Sequence, residues 1–231
     1  MKTFNTLLDQ ADFHFARREW AAARDAVRSA IEQAPEQAVL WDTLGNLHYL
    51  LGEFAEARTA FVAAARHRPD DCDLLIRLAI AHRELGEFAA EEAVLGEVCR
   101  RQPQGFFAHF LLADCYRDQG RSRDAAPLYH ALLAQRPGHA GVMLSLAKLL
   151  HNDGDTLGAQ AVLERLLELE PGNVLARENL SAIAGRRGAG MSRERWQGER
   201  VLRRPPQRPR RRRTHGRNDR QDPSHGEGRG R

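Results

Sequence analysis

The sequence predicts an all-α solenoid of five stacked helical hairpins with a capping helix, followed by a disordered basic tail. Three observations predict it. Pro35, Pro69, Pro103, Pro137 and Pro171 stand 34 residues apart. Proline lacks an N–H and disfavours helical conformation in the residue before it, so each one marks a stop. Within that frame small residues recur at two places and large apolar residues at a third. Glycines recur at one more, where a left-handed backbone closes a helix.

With each proline as position 32, the units run 4–37, 38–71, 72–105, 106–139 and 140–173. The first carries Ala11 at position 8, Ala23 at position 20 and Val27 at position 24. The second is the clearest, with Trp41, Leu44, Gly45 and His48 in its first half and Ala57, Phe61 and Ala64 in its second. The third has Ala79 and Leu95 but puts Glu91 at position 20, a charge expected near the surface. The fourth has Ala113, Ala125 and Tyr129, with Pro127 expected to bend its helix modestly, and the fifth has Ala147, Ala159 and Leu163. Gly52, Gly86, Gly120 and Gly154 occupy position 15. Positions 4, 7, 8 and 11 have the spacing of one buried helix face. Small residues at 8 and 20 let two antiparallel helices approach, and bulky ones beside them fill the remaining space. One hairpin cannot bury its apolar face alone, whereas stacked hairpins share a core. Residues 174–184 begin a sixth first helix, with Leu175, Leu180 and Ile183 placed to cover the stack and Arg177, Glu178 and Asn179 expected to face water.

These residues and the 34-residue period resemble the tetratricopeptide repeat family over residues 4–173. The resemblance implies a right-handed superhelix with a concave groove. At 100° per residue, positions 2, 5, 9, 12 and 13 share an arc opposite the packing face. The resemblance makes that arc the groove lining. Its candidate partner-binding residues are Phe15, Asp42, Asn46, Tyr49, Asp73, Ile76, Ile80, Arg83, Phe107, Phe110, Asp114, Arg117 and Lys148. A merely solvated arc would be polar throughout; this one interleaves aromatic and aliphatic residues with acids, as a peptide- or helix-binding groove requires. The competing reading is that some of these side chains pack between hairpins. The expected partner is a protein or peptide, neutral to basic, with apolar anchors. One subfamily binds chaperone C-terminal carboxylates through a Lys, Asn, Asn, Lys, Arg clamp. The matching positions here are Leu8, Asp12, Thr43, Asp73 and Arg77, of which only Arg77 agrees, so no such partner is expected.

Charge divides the chain. The net +4 averages −7 over residues 1–184 with +11 over residues 185–231, where every basic residue is Arg. Too little apolar area there offsets the ordering entropy, so residues 185–231 read as a disordered tail. Arg208, Arg210, Arg211, Arg212 and Arg213 are candidates for binding a polyanion such as nucleic acid, an interaction that would weaken with salt. Two other readings stay open: the tail folds back on the acidic body, or it is a drifted, out-of-frame C-terminus. Only Lys2 and Lys148 are lysines among 35 basic residues, which points to a GC-rich, bacterial genome.

Cys72, Cys99 and Cys115 suit neither a disulfide framework nor a closed zinc site, so a reducing compartment is expected. The N-terminus lacks a secretory pattern, and no stretch nears the roughly 20 apolar residues of a membrane span, so the expected location is cytoplasmic. His14, His48 and His82 share position 11 and line up along the stack. Layers about 8–10 Å apart are too distant for neighbours to share zinc at about 2 Å, so packing is expected and no metal. No phosphate loop, dinucleotide motif or nucleophile elbow occurs. The repeats leave no room for a catalytic domain. The expected function is a non-catalytic interaction scaffold without cofactor; the alternatives are a nucleic-acid-associated adaptor, or the repeat arm of a truncated glycosyltransferase- or methyltransferase-type enzyme.

Overall fold

The computed structural model describes residues 3–186, with side-chain burial to residue 184. The tail readings, including the Arg208–Arg213 candidates, lie outside the described residues. Among these, eleven helices follow in order: α1 (Phe4–Ala16), α2 (Trp20–Gln33), α3 (Ala38–Leu50), α4 (Phe54–His67), α5 (Cys72–Glu84), α6 (Phe88–Arg101), α7 (Phe106–Asp118), α8 (Ser122–Gln135), α9 (Ala140–Asn152), α10 (Thr156–Leu169) and α11 (Val174–Arg186). Each helix packs chiefly on its neighbours in sequence. The result is an all-α solenoid in which odd-numbered helices form one layer and even-numbered helices the other.

The turn inside each hairpin is closed at position 15. Gly52, Gly86, Gly120 and Gly154 take φ values of 75°, 73°, 72° and 90°. The first hairpin has no glycine there, and Arg18 takes φ 59° in its place. A side chain in that region is strained, so the turn geometry is imposed by the hairpin and not by the residue.

The core follows the frame. At position 24, Val27, Phe61, Leu95, Tyr129 and Leu163 are all at most 1% exposed. Opposite them Ala79, Ala113 and Ala147 are fully buried. Gly45 leaves room for the ring opposite it: a Cβ there would meet Phe61 Cε1 at 2.5 Å. Position 10 joins successive hairpins, with Leu47, Ala81, Cys115 and Leu149 buried. Phe13, at the same position of the first described hairpin, is 56% exposed.

Two expectations are corrected. Glu91 is 1% exposed, not near the surface, because it lies between α5 and α6 with Arg83 reaching to it. Asn179 is 3% exposed instead of facing water, because position 6 of a first helix looks back onto the preceding hairpin, as buried Leu111 also does. In α11, Ala176 and Ile183 are buried and cover the end of the stack. Pro127 sits on the exposed side of α8, which runs unbroken from Ser122 to Gln135.

Candidate functional site

The odd-numbered helices place positions 2, 5, 9, 12 and 13 in a column, and the column is not uniformly open. Phe15, Asp73 and Phe107 are exposed; Asp42, Asn46, Tyr49, Ile80, Arg83, Phe110 and Lys148 are half-buried; Ile76, Asp114 and Arg117 are buried. Several charged members are engaged with one another. Arg77, the one residue that matches the chaperone clamp, grips Asp42 with two hydrogen bonds, Nε–Oδ1 2.8 Å and Nη2–Oδ2 3.0 Å. Asn46 donates to Asp42 at 3.5 Å and the Tyr49 hydroxyl to Glu84 at 3.5 Å.

The centre of the column holds a buried polar network. Arg83 donates through Nε to Glu91 at 2.6 Å and through Nη2 to the Leu111 carbonyl at 2.7 Å. Arg117 donates to Asp114 at 2.6 Å, to Asp118 at 2.8 Å and to Ser145 at 3.0 Å. The Tyr129 hydroxyl donates to Asp114 at 2.6 Å. Burial pushes the Glu91 carboxyl above its ordinary value of 4.5 against the pull of Arg83. Burial, reinforced by Asp114, likewise pushes the Tyr129 phenol up. These hydrogen bonds link α5, α6, α7, α8 and α9.

Beside the network, nearer the starts of α5, α7 and α9, the groove opens into a cavity of about 440 Å³. Four expected residues line it: Asp73, Ile76, Phe107 and Phe110. Gln102, Phe106, Arg136 and His139, which lie off the helix arc, also line it, Phe106 as the first residue of α7 and the others from the loops entering α7 and α9. The Arg136 guanidinium lies over the Phe106 ring, 4.3 Å from its centroid. The His139 ring sits 4.8 Å from that of Phe106 and 6.0 Å from that of Phe110, while its Nδ1 caps α9 by accepting from Val142 N–H. Phe107 is 52% exposed at the mouth. The cavity is therefore aromatic, with the charged side chains of Asp73 and Arg136 also in its lining.

A second cleft, of about 530 Å³, lies on the other side between α2, α3 and α4. Trp41, Leu44, His48 and Ala60 line it together with two charges of each sign, Arg28, Glu32, Glu56 and Arg58.

The aligned histidines have a specific role. His14, His48 and His82 hydrogen-bond through Nδ1 to Glu19, Glu53 and Glu87 at 2.7, 2.7 and 2.6 Å. An arginine from the preceding hairpin joins each later pair: Arg24 to Glu53 and Arg58 to Glu87. The next junction reverses the charges, since Glu92 accepts from Arg121 at 2.7 Å and the guanidinium stacks on Tyr116, 4.3 Å from its centroid. The His14 and His82 hydrogen bonds lower the Glu19 and Glu87 carboxyls; burial raises Glu53, but His48 and Arg24 outweigh it. Their folded values lie below 4.5, so this stabilisation is present above the ordinary carboxylate range and is lost as pH falls through the lowered values. Glu92 and Arg121 are partly exposed, with side-chain exposures of 31% and 40%. Their double-mutant cycle to Ala is expected to give a coupling of about 0.5 kcal/mol in urea denaturation, vanishing at about 1 M salt. A coupling that survives high salt counts against an ion pair.

Burial pushes the Cys99 thiol up to about 11 and the Cys115 thiol up to about 12, so neither is a ready nucleophile. Among the described residues no group of three or more His, Cys, Asp or Glu is arranged to hold a metal, and no helix is long and apolar enough to cross a membrane.

Two tetratricopeptide repeat profiles match the chain, over residues 43–106 and 116–183. No curated protein matches it in sequence. Solved structures share the fold. YrrB, described as a tetratricopeptide repeat protein with an unusual peptide-binding site, is 19% identical with a TM-score of 0.63, covering 76% of this chain and 91% of its own. A tetratricopeptide repeat protein from Parabacteroides merdae is 16% identical with a TM-score of 0.72, covering 80% of this chain and 75% of its own. MamA is 17% identical with a TM-score of 0.65, covering 73% and 92%.

Proposed function

The chain belongs to the tetratricopeptide repeat family, and from that premise we propose that it is a non-catalytic scaffold that captures a peptide or helix of a partner protein in its concave groove. The observation that carries this reading is the aromatic cavity of about 440 Å³, with Phe107 at its mouth 52% exposed. Binding energy concentrates where apolar anchors enter such desolvated pockets. The peptide-binding site described for YrrB, a structural neighbour, supports the same class of activity. The partner supplies apolar anchors. The groove acids counted from sequence give only a weak preference for basic partners, because Asp42, Asp114 and Asp118 are held by Arg77 and Arg117. The Asp42 pairing also engages the one clamp-like residue, which supports the expectation that chaperone carboxylates are not the ligand.

Phe107→Ala tests the reading cleanly, because an exposed substitution shifts stability by no more than about 0.5 kcal/mol. Combined with Phe110→Ala, it should weaken partner capture at least about tenfold, equivalent to about 1.4 kcal/mol, while helicity stays unchanged. Capture of the same proteins at the same salt by the double variant excludes this groove.

A further inference from the structure

On the groove reading above, the aromatic cavity accepts apolar anchors, and the chain itself carries a set within reach of it. Beyond the last described residue, Arg186, the large apolar residues are Met191, Trp196, Val201 and Leu202, all within one stretch of twelve. The cavity lies near the starts of α7 and α9, and α11 continues the same layer of odd-numbered helices, one to two hairpins on. With about 10 Å between neighbouring helices and about 20 Å along α11, the end of α11 stands about 30 Å from the cavity. Trp196 is ten residues past Arg186 and Leu202 sixteen, stretches that span at most about 35 Å and about 55 Å. The cleft lined by Trp41 and His48 lies further back along the stack, on the first two hairpins, so the aromatic cavity is the nearer site.

Charge favours the same encounter. Residues 1–184 sum to −7 and residues 185–231 to +11, so the body attracts the segment at long range. Close to, both sides are mixed in sign: the cavity lining holds Asp73 and Arg136, and Glu194, Arg195, Glu199 and Arg200 flank the anchors. The Arg136 guanidinium already lies over Phe106, and the exposed Phe107 ring offers Arg195 and Arg200 the same kind of contact. Resting on the groove reading, we propose that residues 191–202 dock in the aromatic cavity of their own chain, with Trp196 as the anchor, and that a partner must displace them. Tethering sets an effective concentration on the order of 1 mM, at which a segment that dissociates at about 0.1 mM fills its site about nine-tenths of the time. A competitor then sees its apparent affinity lowered about tenfold. Only partners with better anchors than the chain's own gain entry, which sharpens selection.

The test keeps the full chain. A fluorescent peptide with the sequence of residues 190–206 is titrated by anisotropy into the parent, into Trp196→Ala plus Leu202→Ala, and into that double variant with Phe107→Ala added. The peptide should bind the double variant about tenfold tighter than the parent, because the tethered competitor has lost its anchors. Adding Phe107→Ala should cancel most of that gain. In parallel, photoreactive benzoylphenylalanine placed at position 107 should cross-link to residues 191–202 within a single chain. Equal affinity of parent and double variant, or binding to neither, overturns the proposal. So do cross-links that miss residues 191–202 or join only two copies. If Phe107→Ala plus Phe110→Ala still loses partner capture in that event, the groove reading stands and only its occupant is wrong. If capture is unchanged, both fall.

Discussion

Glu91→Ala should lower the unfolding free energy by about 3 kcal/mol, the scale for breaking a buried ion pair from one side. The result would run against the repeat frame, since Ala23, Ala57, Ala125 and Ala159 occupy the same position in the other hairpins. The cause is Arg83, whose side chain is only 12% exposed and whose Nε donates to Glu91 at 2.6 Å. Without that carboxylate the guanidinium keeps the Leu111 carbonyl and a distant Asp114 at 3.9 Å, too little to replace the water it gave up. Arg83→Leu alone should be equally harmful, leaving Glu91 buried without its cation. The double variant Arg83→Leu plus Glu91→Ala should return to within about 1 kcal/mol of the parent, because an apolar replacement of a buried pair is often neutral or better. Urea denaturation of the four proteins, followed by circular dichroism, checks the cycle. Additive losses in the double variant would show that the two charges act independently.

Phe61→Ala should cost about 4 kcal/mol, through lost transfer free energy and the cavity left behind. The ring is 1% exposed and fills the space that Gly45 leaves open between α3 and α4. The sharper test is a change of sign at Gly45. In the parent, Gly45→Ala brings a Cβ to 2.5 Å from Cε1 and 2.6 Å from Cδ1 of a ring that has little room to move, so overpacking of about 1–3 kcal/mol outweighs the gain in helix propensity. In the Phe61→Ala background the ring is absent, and Gly45→Ala should stabilise by about 1 kcal/mol. Destabilisation by Gly45→Ala in both backgrounds would place the conflict somewhere other than the ring.

The sequence made the scaffold legible because its rules are local and repeated. A proline every 34 residues, alanine or glycine facing a large apolar side chain, and a turn glycine each appear several times in one frame. Departures from the frame were harder to read. Glu91 broke the pattern at position 20, and only the reach of Arg83, eight residues earlier in the same hairpin, explains how a carboxylate is accommodated there. Asn179 is buried because α11, the last described helix, packs on the hairpin before it. Arg18 shows that the turn does not require its glycine when the helices on both sides define the geometry. The histidines align down a column, but the informative direction is along the chain: His14-Glu19, His48-Glu53 and His82-Glu87 repeat one five-residue offset. At the cavity, the helix arc identified Phe107 and Phe110 but not Phe106, Arg136 or His139. These come from helix starts and loops, where a 100° wheel does not apply.

The reversed junction at Glu92 and Arg121 bears on how the chain finds its own order. Hairpins built to one frame are nearly interchangeable, and an array of them risks stacking out of sequence or exchanging hairpins with another copy. Arg24–Glu53 and Arg58–Glu87 use the same polarity, so those two junctions carry no charge mark that tells one from the other. The fourth hairpin, which brings Arg121 to Glu92, breaks that polarity. Docked onto the second hairpin it would set Arg121 against Arg58, and a second hairpin docked onto the third would set Glu53 against Glu92. One inverted pair therefore acts as a key in an otherwise degenerate stack, making the correct neighbour the one junction where that hairpin's charges are met by their opposites.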